Sequence, residues 1–407
     1  MAHDSFDIDR PLSAEESETL VAWRRQLHAQ PELSLCEFDT QAAVRTALVS
    51  MGYQPIAVGG TGLAVSVGTG SGPALLLRAD MDALPIQEAT GLPFASQRPG
   101  AMHACGHDAH TACLLAVARR CKQHETQLPG RLVLAFQPAE ENGRGALAMI
   151  DAGLLDGRWC GDPTLQVAAA LGLHVWSSQG VGTVSAVAGP IMATVDEFKL
   201  VVRGRGGHGA LPHQAADAVV AAAAVIQALQ TIVSRQTDPL LPIVVTVGSI
   251  HGGMAFNVIA ETVELCGTVR SFDRALADRL PTLLPQVAAD AAKAYGATVS
   301  ANYQRNTIVL NNDPTLADLV ATAAGRCNQV LHVDRQMRMM GGEDFAYFAQ
   351  AVPACFFFVG CGLPNGTSEP HHSPRFVIDE AALPIGAEVM LNSALAWLET
   401  APRSGSV

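Results

Sequence analysis

The chain has 407 residues, 49% of them hydrophobic and only 5% aromatic, and its 26 basic and 38 acidic side chains give a formal charge of −12. At roughly 150 residues per domain this length predicts two or three domains, and an interior rich in Ala, Val and Leu favours an α/β class with helices packed on a buried sheet. The acidic balance, with no run of basic residues, argues against nucleic acid or an anionic membrane as a partner.

The cysteines and the N-terminal residues indicate a cytoplasmic protein. The nine cysteines are odd in number and form no CxxC pair, a pattern more typical of a reducing cytosol than of a secreted disulfide framework. Residues 1–9 lack the cationic start and apolar block of a signal peptide. No apolar run approaches the roughly 20 residues needed to span a bilayer.

The first part of the chain predicts two helices followed by two strands. Ser13 with Glu16 three residues later is a capping-box pattern, and it begins a helix that Pro31 ends. A second helix is expected over 40–51 and a strand over 63–67.

A buried strand is then expected over 74–82, and it runs out into Asp80 and Asp82. From an extended segment the two carboxylates would point the same way. The alternative is that they are only the polar, turn-forming end of a strand.

The stretch from Met102 to His110 holds three histidines, a cysteine and an aspartate within nine positions. Thiolate and imidazole are the ligands that Zn²⁺-like ions prefer, although Cys is also often a small buried hydrophobe. We expect Cys105 and His107 to lie in a loop that leads into a helix over 111–122.

Two further apolar runs end in polar side chains that bind metals. A strand over 131–137 precedes Glu140 and Glu141, and a strand over 167–173 ends at His174. The carboxyl ends of strands are where open α/β sheets place their active sites. The two glutamates could also be first-turn acids favoured by a helix dipole.

In the middle of the chain the order of predicted strands and helices changes. It becomes β-α-β-β-α-β, which is the order of a ferredoxin-like unit. The predicted elements are a strand over 195–202, a helix over 215–234, strands over 243–250 and 262–270, a helix over 273–294 and a strand over 298–303. A glycine-rich turn after the first strand carries His208. The α/β pattern then resumes with a helix over 314–327, a strand over 355–359, the pair His371-His372 and a helix over 385–400, so we interpret the unit as an insertion.

Together these segments supply one thiolate, three imidazoles and a carboxylate, from Cys105, His107, one of the two glutamates, His174 and one of the pair His371-His372. A single tetrahedral catalytic site takes three protein ligands and leaves one position open. Five donors instead suit two metal ions about 3.5–4 Å apart. The second glutamate would then be free to act as a general base.

A series of motifs in collinear order resembles the metal-dependent amidohydrolases of the aminoacylase and carboxypeptidase superfamily. Within this superfamily, the sequence resembles the branch that contains hippurate hydrolases, N-acyl-amino-acid amidohydrolases and plant auxin-conjugate hydrolases. The motifs are RADMDALP at 78–85, MHACGHD at 102–108, QPAEE at 137–141, GLH at 172–174, GGHGALPH at 206–213, NVI at 257–259, GTVR at 267–270 and GEDF at 342–345.

The resemblance implies two divalent metal ions per subunit, Zn²⁺ or Mn²⁺ with Co²⁺ as a third candidate, and Glu140 as general base and acid. The implied metal ligands are Cys105, His107, Glu141, His174 and His372. His372 is chosen because the family ligand directly precedes a small or polar residue and Pro, here Ser373 and Pro374. His371 stands where relatives usually have Leu, so the register of the pair leaves both histidines open.

The resemblance also implies roles outside the ligand set. Asp82 is similar to the family's acid that orients a metal ligand. His208 resembles a residue that reaches a neighbouring subunit's site and stabilises the oxyanion or the substrate carboxylate. Asn257 and Arg270 would help to hold that carboxylate, although the polarity of a turn and of a strand end would also explain His208 and Arg270.

The implied architecture is a mixed-sheet di-metal catalytic domain, residues 1–187 and 306–407, with an inserted lid or dimerisation domain at 188–305. The implied function is hydrolysis of N-acyl or aryl-acyl amino acids by a homodimer or higher oligomer, releasing a carboxylic acid and a free amino acid. The alternatives are a dipeptidase or carboxypeptidase, an amidase with Cys105 as nucleophile and His107 as base, and a binding protein without catalysis. Ala260 stands where the family usually has Pro, and a usual Pro pair is absent around 307–310, which leaves the substrate preference open.

Overall fold

The computed structural model describes residues 7–69 and 72–400. Residues 1–6, which belong to the segment predicted to lack a signal peptide, lie outside the described residues. The described helices are α1 Ala14–His28, α2 Phe38–Ser50, α3 His107–Gln123, α4 Gly145–Asp151, α5 Ala218–Arg235, α6 Arg274–Lys293, α7 Pro314–Arg326, α8 Ala346–Ala351 and α9 Ala382–Thr400. The described strands are β1 Ile56–Ala57, β2 Leu63–Val67, β3 Ala74–Asp80, β4 Arg131–Gln137, β5 Val167–Gly180, β6 Thr183–Ser185, β7 Gly189–Met192, β8 Val195–Arg203, β9 Gly207–His208, β10 Ile243–Gly252, β11 Val258–Ile259, β12 Thr262–Ser271, β13 Thr298–Thr307, β14 Leu310–Asn312, β15 His332–Asp334 and β16 Ala354–Gly362.

The chain divides into two compact units. The first comprises Met1–Gly189, Asn311–Met337 and Asp344–Val407, and the second comprises Pro190–Leu310 and Arg338–Glu343. Arg338–Glu343 belongs to the second unit although it lies outside the predicted bounds of the insertion, 188–305. The roles expected for these regions, catalytic for 1–187 and 306–407 and lid or dimerisation for 188–305, remain predictions.

The first unit is built on a mixed sheet with strand order β1-β2-β4-β3-β5-β16-β6-β15. β3 pairs in parallel with β4 and β5, and β5 pairs in parallel with β16. Every residue of β3, β4 and β16 is buried, as expected for strands covered on both faces. Helices α3 and α9 pack against β3, and the predicted mixed α/β architecture is confirmed.

The helix boundaries follow the local signals in the sequence. At the start of α1, the Ser13 hydroxyl accepts a hydrogen bond from the Glu16 N–H at 3.2 Å, and the Ser13 N–H donates to the Glu16 carboxylate at 2.7 Å. This is the capping box that the sequence predicts. Helix α3 begins at His107, earlier than the predicted 111, after Gly106 with φ +87°. A Cβ on Gly106 would lie 2.5 Å from Cγ2 of Val175, so both the left-handed backbone and the close contact require glycine.

The predicted end of the strand before His174 is wrong. Strand β5 continues through His174 to Gly180, because its parallel ladder with β16 pairs His174 with Phe358 and extends to Trp176. The apolar run ends at Leu173, but backbone hydrogen bonding rather than hydrophobicity decides how far the strand extends. His174 is therefore held inside the sheet.

The second unit has its own antiparallel sheet, in the order β10-β12-β8-β13. Its main strands and helices follow the predicted β-α-β-β-α-β order, with a short ribbon of β9 and β11 added. Within the described ranges, α5 is the one helix long and apolar enough to cross a membrane, with a mean hydropathy of 1.5. Its buried residues, including Ala222, Val225 and Leu229, belong to the hydrophobic core of this unit, and core helices of globular domains pass the same test of length and composition.

Buried charges connect α1 to the start of α3 in the first unit. Arg24 Nε donates to Asp108 Oδ2 at 2.8 Å, and His28 Nδ1 lies 2.8 Å from the same oxygen. All three side chains are at most 1% exposed. Burial alone would raise the pKa of Asp108, but Arg24 and His28 hold it well below its usual range.

We predict that Arg24→Met lowers the free energy of unfolding by about 3–5 kcal/mol, because it leaves the buried Asp108 charge without its main partner. The matched control is Arg25→Met on the same helix. Arg25 is 49% exposed and pairs with Glu380 at the surface, so this variant should lose less than about 1 kcal/mol. Urea unfolding followed by circular dichroism measures the free energy of unfolding of both variants. Equal decreases would show that the buried Arg24–Asp108 contact contributes no more to stability than the surface pair of Arg25.

Candidate metal centre

Side chains from separate parts of the first unit meet at one position. The predicted ligands come from the loop before α3, the first residue of α3, the turn after β4, the middle of β5 and the loop before α9. They form two overlapping triads, and within each triad the ligand atoms all lie within 4.8 Å of one another. The first triad is Cys105, His107 and His174, and the second is Cys105, Glu141 and His372.

The donor atoms face one another, and Cys105 Sγ and His174 Nε2 are within hydrogen-bonding distance. Cys105 Sγ lies 3.4 Å from His174 Nε2, and Glu141 Oε1 lies 3.6 Å from His372 Nε2 and 3.9 Å from His107 Nε2. His107 Nε2 and Glu141 Oε1 are buried and have no hydrogen-bond partner among the described residues. Orphaned buried polar atoms are costly, and divalent cations would satisfy them. The donor set therefore fits two metal ions, since it exceeds what one catalytic ion takes.

Hydrogen bonds on the far side of two imidazoles leave their Nε2 atoms available. His107 Nδ1 donates to the Asp82 carbonyl at 2.9 Å, and His174 Nδ1 donates to the Val175 carbonyl at 2.6 Å. This is the usual way in which proteins fix the tautomer of a metal-binding histidine. Burial lowers the pKa of His174 well below its usual range, which keeps this ring in the neutral, metal-binding form.

Burial shifts the pKa in the opposite direction for the two acidic side chains among the predicted ligands. It raises the pKa of the Cys105 thiol well above its usual range and the pKa of Glu141 to about 7, and the neighbouring carboxylates add to both shifts. Thiolate and carboxylate are the forms that bind metal. Cations in this pocket would lower both pKa values, because they favour the charged ligands.

The two histidines of the pair His371-His372 lie in different environments. His372, with φ +66°, points its ring toward Glu141 and belongs to the second triad. His371 stacks on Trp176 with ring centroids 4.2 Å apart, and its Nε2 donates to the Val175 carbonyl at 3.0 Å. One nitrogen of His371 is thus already used, and the geometry favours His372 as the ligand.

Glu140 and Glu141 occupy a turn and not the first turn of a helix, since α4 begins at Gly145. The two oxygens of Asp82 accept the N–H groups of Glu140 and Glu141, each at 3.1 Å. Burial would raise the pKa of Asp82, but the His107 ring brings it below its usual value. Asp82 therefore contacts both the turn and His107, and its role as an orienting acid remains a prediction.

Behind the predicted ligands lies a buried polar network that contains Arg78, Asp80, His110 and Asp344. His110 Nδ1 donates to Asp80 Oδ1 at 2.6 Å, and His110 Nε2 accepts the Val175 N–H at 2.9 Å. Arg78 donates to Asp80 at 2.8 Å and to Asp344 at 3.0 Å. Their only signal in the sequence is their position inside the motifs, which does not show which side chains meet.

The remaining predicted residues lie in the second unit. His208 and Asn257 are exposed neighbours on the β9–β11 ribbon, where the Gly209 N–H donates to the Asn257 carbonyl at 2.8 Å. His208 Nδ1 accepts the Ala210 N–H at 3.0 Å, so Nε2 carries the proton of the neutral ring. The half-buried guanidinium of Arg270 in β12 forms no hydrogen bond or ion pair with the described part of the chain. The structure brings His208 and Asn257 together on this ribbon.

Curated relatives cover nearly the whole chain. It is 41% identical over 383 residues to the N-acetyl-L-cysteine deacetylase of Bacillus subtilis (strain 168), covering 94% of this chain and 88% of the relative. It is 40% identical over 389 residues to the IAA-amino acid hydrolase ILR1-like 4 of Arabidopsis thaliana, covering 93% and 86%. It is also 35% identical over 377 residues to thermostable carboxypeptidase 1 of Saccharolobus solfataricus, covering 90% and 92%.

A solved structure and a family profile agree with these relatives. The YXEP protein of Bacillus subtilis, described as a dinuclear metal binding peptidase from the M20 family, superposes with a TM-score of 0.81 at 33% identity, covering 95% of this chain and all of that one. The profile of peptidase family M20/M25/M40 matches residues 76–396. These residues include all five predicted metal ligands and Glu140, and the chain belongs to peptidase family M20/M25/M40.

Proposed function

We propose that the protein hydrolyses the amide bond between an acyl group and an amino acid and releases a carboxylic acid and a free amino acid. The observation that carries the proposal is the pair of overlapping Cys, His and Glu triads, with the carboxylate of Glu140 beside them. Two relatives are named for reactions of this kind, an N-acetyl-L-cysteine deacetylase and an IAA-amino acid hydrolase. Membership of family M20/M25/M40 supports a hydrolase over a binding protein.

The proposed metal ligands are Cys105, His107, Glu141, His174 and His372. When bound, two divalent ions supply Lewis acidity, which polarises the scissile carbonyl and acidifies the attacking water. The thiolate favours Zn²⁺, whereas imidazole and carboxylate also suit Mn²⁺ or Co²⁺.

Glu140 is the proposed general base and acid. Its Oε2 lies 4.0 Å from His107 Nε2, and its side chain is 10% exposed, so it is next to the ligands and reachable by a substrate. It would take the proton of the attacking water and return it to the leaving amine. Asp82 would orient Glu140 through the backbone, because its carboxylate accepts the Glu140 N–H. The same carboxylate also contacts the His107 ring.

The second unit would bind the rest of the substrate. Arg270 has the charge and the fork geometry to hold the substrate carboxylate, and Asn257 would assist it. His208, which is exposed and carries a proton on Nε2, would stabilise the oxyanion or the carboxylate in the site of a neighbouring subunit. We therefore also propose a homodimer or higher oligomer in the cytoplasm, with the second unit as its lid and dimerisation domain.

Two rival functions differ in their chemistry. A dipeptidase or carboxypeptidase would use the same metal site, and one relative is named a thermostable carboxypeptidase. A cysteine-nucleophile amidase would need a Cys105 thiolate without a metal, but burial raises the pKa of that thiol well above its usual range. Burial therefore disfavours the thiolate that a metal-free cysteine nucleophile would need.

The proposal predicts amine release that depends on divalent metal. The assay measures free amine from benzoyl-glycine, acetyl-amino acids, indoleacetyl conjugates and dipeptides, with and without a chelator. Chelation should stop the reaction, added Zn²⁺, Mn²⁺ or Co²⁺ should restore it, and thiol alkylation should have little effect on the metal-loaded protein. Activity that survives chelation and is lost on alkylation would establish the nucleophile, and binding without release would establish a binding protein. Cleavage of dipeptides alone would favour the peptidase.

Glu140→Gln should lower kcat by about 10²- to 10⁴-fold, because the amide cannot accept the proton of water. The variant should still bind two metal ions, as measured by elemental analysis after gel filtration. Glu18→Gln, on the exposed side of α1, is the matched control and should behave like the wild type. Retained turnover in Glu140→Gln would refute the assignment of the general base.

The histidine pair can be resolved by metal affinity. His372→Ala should weaken metal binding by at least about 10-fold, as measured by competition with a chromophoric chelator. His371→Leu, which fills the space beside Trp176 without a ring nitrogen, should retain both ions. The opposite pattern would transfer the ligand role to His371.

A further inference from the structure

Glu37 is a buried carboxylate that has no role in the proposed ligand set or mechanism. It immediately precedes α2, and none of its surface is exposed. Its Oε1 accepts the Ala139 N–H at 2.8 Å, and its Oε2 accepts the Thr61 hydroxyl at 2.5 Å. A glutamate near the start of the chain is thus attached to the residue just before Glu140.

Ala139 has a backbone conformation that side-chain-bearing residues seldom adopt. Its φ is +54°, in the left-handed region, where the Cβ is crowded and which glycine adopts without this penalty. Such a conformation persists only where its surroundings hold it in place. Because Ala139 adjoins Glu140, relaxation of its backbone would redirect the Glu140 side chain.

Three successive amides of this turn are held by two carboxylates. Glu37 accepts the N–H of Ala139, and Asp82 accepts the N–H groups of Glu140 and Glu141. Asp82 alone would fix the later amides and leave the left-handed residue without its hydrogen bond. The Ala139 N–H would then be a buried donor without a partner, and the turn would be expected to relax to satisfy it.

We infer that Glu37 is a positioning residue for Glu140, because it holds Ala139 in the left-handed conformation that directs the general base toward the metal ligands. The inference rests on the proposed function of Glu140. It does not depend on the charge of Glu37. A glutamine could donate to the Thr61 hydroxyl oxygen and accept the Ala139 N–H, whereas an aspartate is too short by one methylene group to reach both.

The test compares kcat, KM, metal content and melting temperature for a set of variants of the full chain. Glu37→Ala and Glu37→Asp should each lower kcat by about 10- to 100-fold, with KM within about 3-fold of the wild type and metal content unchanged, and Glu37→Gln should stay within about 3-fold in kcat. Glu32→Ala is the matched control. Glu32 is a buried glutamate of the same loop that accepts the N–H and hydroxyl of Thr40 at 2.8 and 3.0 Å, so its loss should lower the melting temperature without lowering kcat.

Ala139→Gly makes the test specific for the backbone. Glycine adopts a positive φ without help, so adding Ala139→Gly to Glu37→Ala should recover at least about 3-fold in kcat if Glu37 acts by holding that conformation.

Wild-type kcat in Glu37→Asp, or equal losses of kcat in Glu37→Ala and Glu32→Ala, would overturn the inference. The Asp and Gln variants decide the matter if Glu37→Ala does not fold. If Glu140→Gln is inactive while every Glu37 variant keeps its kcat, only this inference fails. An active Glu140→Gln variant would instead refute the assignment of Glu140 as the general base, on which this inference rests.

Discussion

The contact between Asp82 and the turn after β4 is the constraint on which most of the candidate site depends. One buried carboxylate accepts two successive backbone amides and lies beside the ring of His107. Because the amides belong to Glu140 and Glu141, a single side chain sets the positions of the proposed base and of one proposed ligand together. The carboxylate stays charged despite its burial, since hydrogen bonds and the adjacent imidazole compensate for lost hydration. Protein groups thus fix the turn that carries the proposed base and this proposed ligand.

Buried charged side chains that extend from the sheet support the same geometry. Asp80 contacts Arg78 and His110, and His110 in turn accepts the N–H of the residue after His174. Such networks are stable only when each member has its partners. Arg78 also connects Asp80 to Asp344, which accepts the Ala146 N–H at the start of α4. The segments that carry the ligands are therefore tied to one another through the interior of the first unit.

The sequence predicted most of the elements and the residue types that cluster at the candidate site, because both rest on short-range signals. The capping box of α1, the apolar strands and the dense cluster at 102–110 each contain their evidence within a few residues. What could not be predicted depends on contacts between distant residues. His174 lies inside a strand because β16 continues the ladder beside it, and nothing in residues 167–174 records that neighbour. Glu37 is indistinguishable in the sequence from any loop glutamate, since its partners Thr61 and Ala139 are brought to it only by the fold. The different settings of His371 and His372 likewise depend on Trp176 and Glu141.

The position of His174 within β5 has a consequence for how metal ions would load. Its backbone is part of the central sheet, and its ring is fixed by Val175, so this donor has little conformational freedom left to lose. His372 lies in a turn outside the strands and helices, and its side chain is about half exposed. In the proposed ligand set, the triad that contains His174 is therefore the more preorganised, and the triad that contains His372 must be ordered further on binding. The two ions would bind with unequal affinity and in a preferred order, with the position beside His174 filled first and retained longest during dialysis.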